Sequence, residues 1–250
     1  MKQSAWENFS RTRNRYRREV KKLQNRLPQL QKILQKLVDS RSPSYIVETP
    51  IVYNRALDDV TADSMIRLIL VADNPGRREQ AAENRRYLVG PSGKIAEKFF
   101  RDNPSLNIDF RKNVIILNKT PIHTPRTSEL KELCRLGGAA LETALYHSQR
   151  LMAGLLLEFH QALSCDNSKP IPVWITGYSE MKKGGVFETY TEELQHLYCS
   201  TNLDKSVFLY RHFSMNQFTI DLKRQTAPDE SSVTQTLDKI GTIYRKKYLW

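Results

Sequence analysis

The apolar residues of the chain gather in four short runs that are hydrophobic at almost every position. They span residues 67–72, 114–118, 172–177 and 207–211. A strand with one face in water alternates apolar and polar residues, whereas a strand that is covered on both faces is apolar throughout. The runs therefore predict a four-stranded parallel core sheet with helices on both sides.

The stretches between the runs carry apolar residues at helical spacing. They predict helices at 94–100, 128–163, 190–198 and 232–248, and the second of these is expected to break near Gly137 and Gly138. Strands that alternate with helices are typical of a doubly wound α/β fold, in which right-handed crossovers join the parallel strands.

Residues 5–40 predict one more helix, ahead of the α/β pattern. Its apolar positions are Val20, Leu23, Leu27, Leu30, Ile33, Leu34 and Leu37. Pro28 interrupts the pattern and is expected to kink or split the helix. Residues 40–50 have the composition of a linker. We therefore divide the chain into a basic helical extension at 1–42 and an α/β domain at 43–250.

Positive charge is concentrated in that extension. The net charge of the chain is +12, and residues 1–40 contribute +8 of it through eleven Lys/Arg and three Asp/Glu. Such a balance favours a polyanionic partner, with nucleic acid ahead of an anionic membrane surface. Two interpretations of the basic helix remain open. It either clamps DNA or a protein partner, or it is a solvated helix that packs through its apolar stripe.

The cysteines and the hydropathy pattern narrow the class of protein. Cys134, Cys165 and Cys199 are widely spaced and include no C-x-x-C pair, so we expect neither a disulfide framework nor a metal or cluster site. No apolar run is long enough to cross a bilayer, and no apolar segment follows the basic N-terminus as in a secretory signal. These features predict an intracellular protein, cytoplasmic or nuclear, without a cofactor.

Polar residues follow three of the four runs. The first run leads into Asp73-Asn74-Pro75-Gly76, the second ends at Asn118, and His212 comes directly after the fourth. Ligands of open α/β sheets bind outside the carboxyl ends of the strands. The turn, the amide and the imidazole are therefore expected to line one pocket.

A phosphate-binding loop is a competing interpretation of the fragment Gly90-Pro91-Ser92-Gly93-Lys94. The pattern G-x-x-x-x-G-K-[ST] requires Gly at position 88 and Ser or Thr at position 95, where this chain has Leu88 and Ile95. The fragment also does not follow an apolar run directly. A nucleoside triphosphatase is therefore disfavoured.

Four stretches resemble the uracil-DNA glycosylase superfamily in order and spacing. They are V-A-D-N-P-G-R-R-E at 71–79, Y-L-V-G-P-S-G at 87–93, I-I-L-N-K-T-P at 115–121 and R-H-F-S at 211–214. The first is similar to the G-x-N-P-G turn of the mismatch-specific and single-strand-selective classes and to the G-E-A-P-G turn of the iron–sulfur class. The resemblance covers roughly residues 45–225. It implies a glycosylase of base excision repair that hydrolyses the N-glycosidic bond of uracil, or of another deaminated base, flipped out of DNA.

The resemblance implies catalytic roles for Asn74, Asp73 and His212 and a base-binding role for Asn118. Asn74 falls where the family places its water-orienting Asp or Asn, and Asp73 falls on the acidic residue of the iron–sulfur class. Asn118 would hydrogen-bond the pairing edge of the base, and His212 would stabilise charge on the departing base. The residue types suit this chemistry. An amide offers a donor and an acceptor on adjacent atoms, and a fixed donor beside the developing anion lowers the barrier.

The resemblance also implies contacts with the rest of the DNA. Leu88 occupies the position of the aromatic residue on which the base stacks in the family, and Tyr87 beside it could substitute. The implied DNA-backbone contacts come from Ser92, Ser214, Lys119 and Arg126, and Arg126 is equally compatible with a solvated loop charge. Met215 or Asn216 would fill the space that the flipped nucleotide vacates.

The chain departs from the family pattern at several positions, and these departures support a second hypothesis. Ala72 replaces the first glycine of the turn motif, Phe213 replaces a proline, and the four iron–sulfur ligands are absent, so no cluster is expected. The alternative is a non-catalytic DNA-binding or repair-partner protein on a degenerate glycosylase fold. The two hypotheses differ in whether a base is released.

Overall fold

A single parallel sheet forms the centre of the protein. The computed structural model describes residues 1–41, 43–165, 169–226 and 232–250. The strands are β1 Leu68–Ala72, β2 Val114–Asn118, β3 Val173–Thr176 and β4 Val207–Tyr210, in the order β2-β1-β3-β4. All neighbouring strands are parallel, and each strand lies in one of the four apolar runs. The predicted four-stranded parallel sheet is therefore confirmed.

The helices follow the predicted order, with two additions. They are α1 Gln3–Arg26, α2 Leu30–Asp39, α3 Arg77–Gln80, α4 Pro91–Asp102, α5 Glu129–Ser164, α6 Glu188–Tyr198, α7 Gln217–Gln225 and α8 Val233–Tyr248. Helix α5 breaks at Gly138, where the backbone turns to φ 64° and ψ −163°. Pro28 separates α1 from α2, as expected. Helices α3 and α7 were not predicted.

Helices cover both faces of the sheet. Ile69 and Val71 of β1 point into a core that α1, α2, α5 and α6 complete. Leu68 and Leu70 point to the opposite face, which α4, α7 and α8 cover. Because alternate residues of a strand face opposite sides, both layers of helices require the strands to be apolar throughout. This layering is compatible with a doubly wound fold.

The N-terminal helix shares the core of the α/β part. Phe9, Tyr16 and Val20 of α1 are buried in the same apolar cluster as Ile69 and Val71. The apolar stripe of α1 is therefore a packing surface of the domain, although residues 1–42 were predicted as an extension. Some arginines of α1 form ion pairs within the protein: Arg15 pairs with Glu158, and Arg17 pairs with Asp58. None of the helices among the described residues is both long and apolar enough to cross a membrane.

Strand register sets the position of the site. Ala72 of β1 lies beside Asn118 of β2, and Thr176 of β3 lies beside Tyr210 of β4. The carboxyl ends of all strands consequently meet at one edge. The segments that leave the strands there begin next to one another, although up to about 140 residues separate them in sequence.

Candidate functional site

A cleft of about 1720 Å³ opens at the carboxyl edge of the sheet. Segments that follow each of the four strands contribute to its wall, together with the turn before α4. The predicted site residues that line it are Asp73, Asn74, Leu88, Ser92, Arg126, His212, Ser214 and Met215. The other four do not line it: Tyr87, Asn118, Lys119 and Asn216.

Asp73 is held by a buried ion pair. Its Oδ1 accepts a hydrogen bond from Lys119 Nζ at 2.5 Å, and Nζ also donates to the carbonyl oxygen of Thr176 at 2.6 Å. Burial lowers the pKa of the Lys119 ammonium, and the carboxylate of Asp73 opposes that shift. The predicted DNA-backbone contact of Lys119 is corrected here, because a side chain with no exposed surface cannot reach a phosphate.

A glycine makes room for the Asp73 carboxylate. A Cβ atom on Gly177, directly after β3, would lie 2.5 Å from Asp73 Oδ1. The backbone at Gly177 is also left-handed, with φ of +78°, which side chains rarely tolerate. Any larger residue at position 177 would therefore push the carboxylate away from Lys119.

Asn74 is oriented by two threonines from the segment after β2. Its Nδ2 donates to Thr124 Oγ1 at 2.9 Å, and its Oδ1 accepts from Thr127 Oγ1 at 3.0 Å. Thr127 Oγ1 also lies 3.3 Å from Asp73 Oδ2, so the two polar residues of the turn compete for its single proton. A carbonyl oxygen has two lone pairs, so Asn74 Oδ1 can still accept a hydrogen bond from a water in the cleft.

His212 is held as a neutral imidazole. The backbone N–H of Ser214 donates to His212 Nδ1 at 2.9 Å, so this nitrogen is an acceptor and the proton resides on Nε2. Burial lowers the pKa of His212. The Asp73 carboxylate opposes this shift and the Lys119 ammonium adds to it. Nε2 makes no hydrogen bond with any described residue. The side chain therefore offers a free N–H donor in the wall of the cleft.

Asn118 lies beneath the cleft surface with an unpartnered amide. The residue is 1% exposed, and neither Oδ1 nor Nδ2 has a hydrogen-bond partner among the described residues. It faces the same side of the sheet as Val114 and Ile116, because alternate strand residues share a face. Its register partner Ala72 lines the cleft. An unpaired buried amide costs roughly 1–3 kcal/mol, which a ligand could recover.

Leu88, and not Tyr87, faces the cleft. The Tyr87 hydroxyl donates to the carbonyl oxygen of Val52 at 2.6 Å and lies 2.5 Å from the hydroxyl of Tyr16 in α1. The predicted base contact of Tyr87 is corrected, because the ring is buried and committed to this network. Leu88 lines the cleft in a left-handed conformation, with φ of +52°.

The strained backbone at Leu88 is fixed from two sides. Arg111 Nη2 donates to the carbonyl oxygen of Leu88 at 3.1 Å. A Cβ atom on Gly93 would lie 1.6 Å from the same oxygen, so α4 packs directly on the turn. A left-handed conformation of a non-glycine residue persists only where the surroundings enforce it. Leu88 is consequently a rigid part of the cleft wall.

The predicted DNA contacts are otherwise accessible. Ser92 and Ser214 are partly exposed in the cleft wall, and the exposed Arg126 forms no ion pair with a described residue. Met215 is 77% exposed on the cleft, at φ of 51°. Asn216 follows at φ of 57° and is exposed outside the cleft lining. Of the two predicted intercalating residues, Met215 is therefore the one that the structure brings to the site.

Two buried titratable residues support the turn and were not predicted. Glu79 accepts a hydrogen bond from the backbone N–H of Gly76 at 3.3 Å, and burial raises its pKa to about 7. His123 contacts the carbonyl oxygen of Pro75 through Nδ1 at 2.7 Å, and burial lowers its pKa to about 4. The spacing of Glu79 from Gly76, three residues, is that of a helix-capping carboxylate and could have indicated the first contact. No local signal indicates the second.

The site holds no arrangement that suits a metal. Among the described residues, no group of three or more His, Cys, Asp or Glu side chains could bind an ion.

The chain matches no protein-family model and no curated protein. Function is therefore inferred from the geometry of the cleft and from the motif resemblance.

Proposed function

We propose that the protein is a DNA glycosylase that hydrolyses the N-glycosidic bond of uracil, or of another deaminated base, flipped out of DNA. The observation that carries the proposal is the unpartnered amide of Asn118 beneath a cleft that His212 and Asn74 line. Buried polar groups are almost always hydrogen-bonded in folded proteins. An amide left without a partner at a strand end is therefore a candidate for ligand recognition.

Asn118 suits the pairing edge of uracil. The amide oxygen can accept from the N3–H of the base, and the amide nitrogen can donate to its O4 atom. A base that enters the cleft as far as Ala72, the register neighbour of Asn118, would approach this amide. Flipping the nucleotide costs a few kcal/mol, and these hydrogen bonds offset part of that cost.

His212 suits the departing base. As the N-glycosidic bond breaks, its electron pair moves onto the base and negative charge develops on O2. A neutral imidazole with a proton on Nε2 donates a hydrogen bond to that oxygen without being consumed. The Lys119 ammonium behind Asp73 adds positive potential in the same region.

Asn74 and Asp73 are suited to holding the attacking water and to stabilising the positive charge that develops on the sugar. The C1′ carbon acquires positive charge as the bond breaks, and the Asp73 carboxylate favours that charge. A water held by Asn74 Oδ1 would add its oxygen to C1′ and complete the hydrolysis. The carboxylate of the same turn can accept the proton that this water releases. The products are an abasic site and the free base.

Phosphate contacts would position the DNA strand on the cleft. Ser92 at the start of α4, Ser214 and Arg126 offer hydroxyl and guanidinium donors along its wall. Met215 protrudes far enough to occupy the stacking position that a flipped nucleotide leaves. DNA affinity is then expected to fall steeply with salt.

The test is base release from a panel of oligonucleotides that contain uracil, hypoxanthine or xanthine. Each duplex is incubated with protein and then treated with alkali, which cleaves abasic sites. We expect strand cleavage with at least one base and its loss in His212→Ala and Asn74→Ala. His147→Ala is the matched control, because His147 is exposed on α5.

One observation favours the non-catalytic alternative. Leu88 offers the base no aromatic face on which to stack, where such stacking contributes about 1–3 kcal/mol in nucleic-acid sites. A protein of that kind would bind all three oligonucleotides and cleave none. That outcome would overturn the proposed hydrolysis and retain DNA binding.

A further inference from the structure

The two most exposed large apolar side chains among the described residues lie on the same cleft. Met215 is 77% exposed and Ile46 is 76% exposed, and both line it. Isolated apolar residues are common on protein surfaces. Met215 and Ile46 are more exposed than every other large apolar side chain among the described residues, and both line one cleft. Chance explains this coincidence less readily. Met215 has a role in the proposed function, whereas Ile46 has none.

The backbone around Ile46 is fixed by three glutamine side chains. Gln80 donates to the carbonyl oxygen of Ile46 at 3.1 Å and accepts from Glu48 N at 2.7 Å. Gln35 accepts from Val47 N at 2.8 Å, and Gln31 donates to Val47 O at 2.7 Å. Val47 is fully buried, so the extended segment is pinned from inside. Ile46 is thus presented outward on a rigid support.

Three arginines without an ion-pair partner among the described residues line the same cleft as Ile46, along with the carboxylates of Glu48 and Glu83. Arg77, Arg78 and Arg126 all line it, and none forms an ion pair with a described residue. The Arg77 guanidinium lies 4.8 Å from the ring centroid of Tyr45, next to Ile46. An exposed aliphatic side chain in a cleft that also holds free guanidinium groups complements duplex DNA, which combines phosphates with apolar base steps.

We propose that residues 45–49 form a second DNA-contacting edge, at which Ile46 makes an apolar wedge contact with a base step of the duplex. The inference rests on the proposed function, because it takes the partner of the cleft to be DNA. Ile and Met are both residues that proteins insert between base steps to kink a duplex.

The sheet separates the two wedges. The segment of Ile46 adjoins β2, because Ile51 pairs with Ile122 just after that strand, whereas Met215 follows β4. In the order β2-β1-β3-β4 these strands are three intervals apart. At roughly 4.8 Å per interval strands β2 and β4 lie about 14 Å apart, which corresponds to about four base steps. Ile46 therefore contacts stacked duplex beside the lesion and not the flipped nucleotide.

The test is fluorescence anisotropy with a 25-base-pair duplex that carries one central uracil opposite guanine, and with the uracil strand alone. We expect Ile46→Ala to weaken duplex binding about tenfold, the size of one lost aliphatic contact. Single-strand binding should change less than about twofold, since a wedge requires stacked bases. Ile46→Leu should restore duplex binding. Met65→Ala is the matched control, because Met65 is 61% exposed just before β1, at the opposite edge.

Salt dependence separates the wedge from charge. Ile46→Ala should leave the slope of log Kd against log salt unchanged, whereas Arg78→Ala should reduce it by about one. Duplex binding as tight in Ile46→Ala as in the unaltered protein would overturn this inference alone. An equal loss on the single strand would overturn the duplex contact. An unaltered protein that binds no DNA would overturn both this inference and the proposed function.

Discussion

The backbone N–H of Ser214 donates to Nδ1 of His212 at 2.9 Å. A protonated imidazole carries hydrogen on both ring nitrogens, so it would set one N–H against another at this contact. Burial of the ring opposes protonation as well and lowers the pKa of His212. The loop after β4 thus fixes both the charge and the tautomer of the group that we propose to face the departing base.

The first prediction concerns the pH dependence of base release. In the proposed reaction the neutral form of His212 is the active one, and it persists to below the ordinary pKa of 6.5 because the pKa is lowered. The ratio of single-turnover rates between the unaltered protein and His212→Ala should therefore stay constant from pH 8 to about 6.5 and fall only in more acidic solution. The ratio removes the effect of other titrating groups. A ratio that already halves near neutral pH would contradict the assigned tautomer.

The second prediction separates chemistry from binding at Asn74. Asn74→Ala should reduce the single-turnover rate about 10²-fold, because the attacking water loses its acceptor. Duplex affinity should remain within about twofold, since no phosphate contact is removed. Asn202→Ala, at an exposed position, serves as the control. A loss of affinity that matches the loss of rate would indicate that Asn74 binds DNA and does not orient water.

The third prediction concerns the buried pair of Asp73 and Lys119. Lys119→Met leaves a partly buried carboxylate without its cation and should lower the free energy of unfolding by roughly 3–5 kcal/mol. The double variant with Asp73→Asn should recover a large part of that loss. Lys98→Met removes an exposed pair with Asp102 and should change the free energy of unfolding far less, because water and salt screen that pair. Urea denaturation is measured for the unaltered protein, Lys119→Met, Asp73→Asn, the double variant and the Lys98→Met control. Additive losses in the two single variants would show that the buried pair is not coupled.

The fourth prediction concerns Glu79, whose pKa burial raises to about 7 from its ordinary value of 4.5. Between these values the folded protein keeps a proton that the unfolded chain has lost, so stability decreases as the pH rises through this window. Glu79→Gln removes the effect. As the pH rises from 4.5 to 7, the free energy of unfolding of Glu79→Gln should increase relative to that of the unaltered protein, by at most about 3 kcal/mol. Glu83→Gln is the exposed control, and parallel stability curves for Glu79→Gln would refute the raised pKa.

The sheet could be predicted because burial on both faces leaves a clear pattern in the sequence. Helix α7 could not be predicted, because Phe218, Ile220 and Leu222 alternate with polar residues as in a strand. In the structure Phe218 and Leu222, four residues apart, are buried on one face, while Ile220 is 41% exposed. Residues 217–225 form a helix because this conformation packs against α8 and the turn at Ser214.

Site residues could be predicted where they follow strands directly, as Asp73, Asn74 and His212 do. Lys119 also follows a strand, yet its burial depends on Asp73 and Thr176, which are 46 and 57 residues away. No local pattern shows such partners, and lysine is usually exposed. The choice between Tyr87 and Leu88 depends on a left-handed backbone at Leu88, which apolar residues do not signal.

The most direct measurement compares Asn118→Ala with the unaltered protein in single-turnover base release from a uracil-containing oligonucleotide, with the freed base identified by mass. We expect the unaltered protein to release uracil and Asn118→Ala to release it about 10²-fold more slowly, the equivalent of two lost hydrogen bonds. The urea midpoint of Asn118→Ala should stay close to that of the unaltered protein, apart from a small change in packing. The substitution breaks no hydrogen bond of the folded protein, because the amide has no partner among the described residues. Equal rates of release in the two proteins, or no release by the unaltered one, would contradict a base-binding role for this amide.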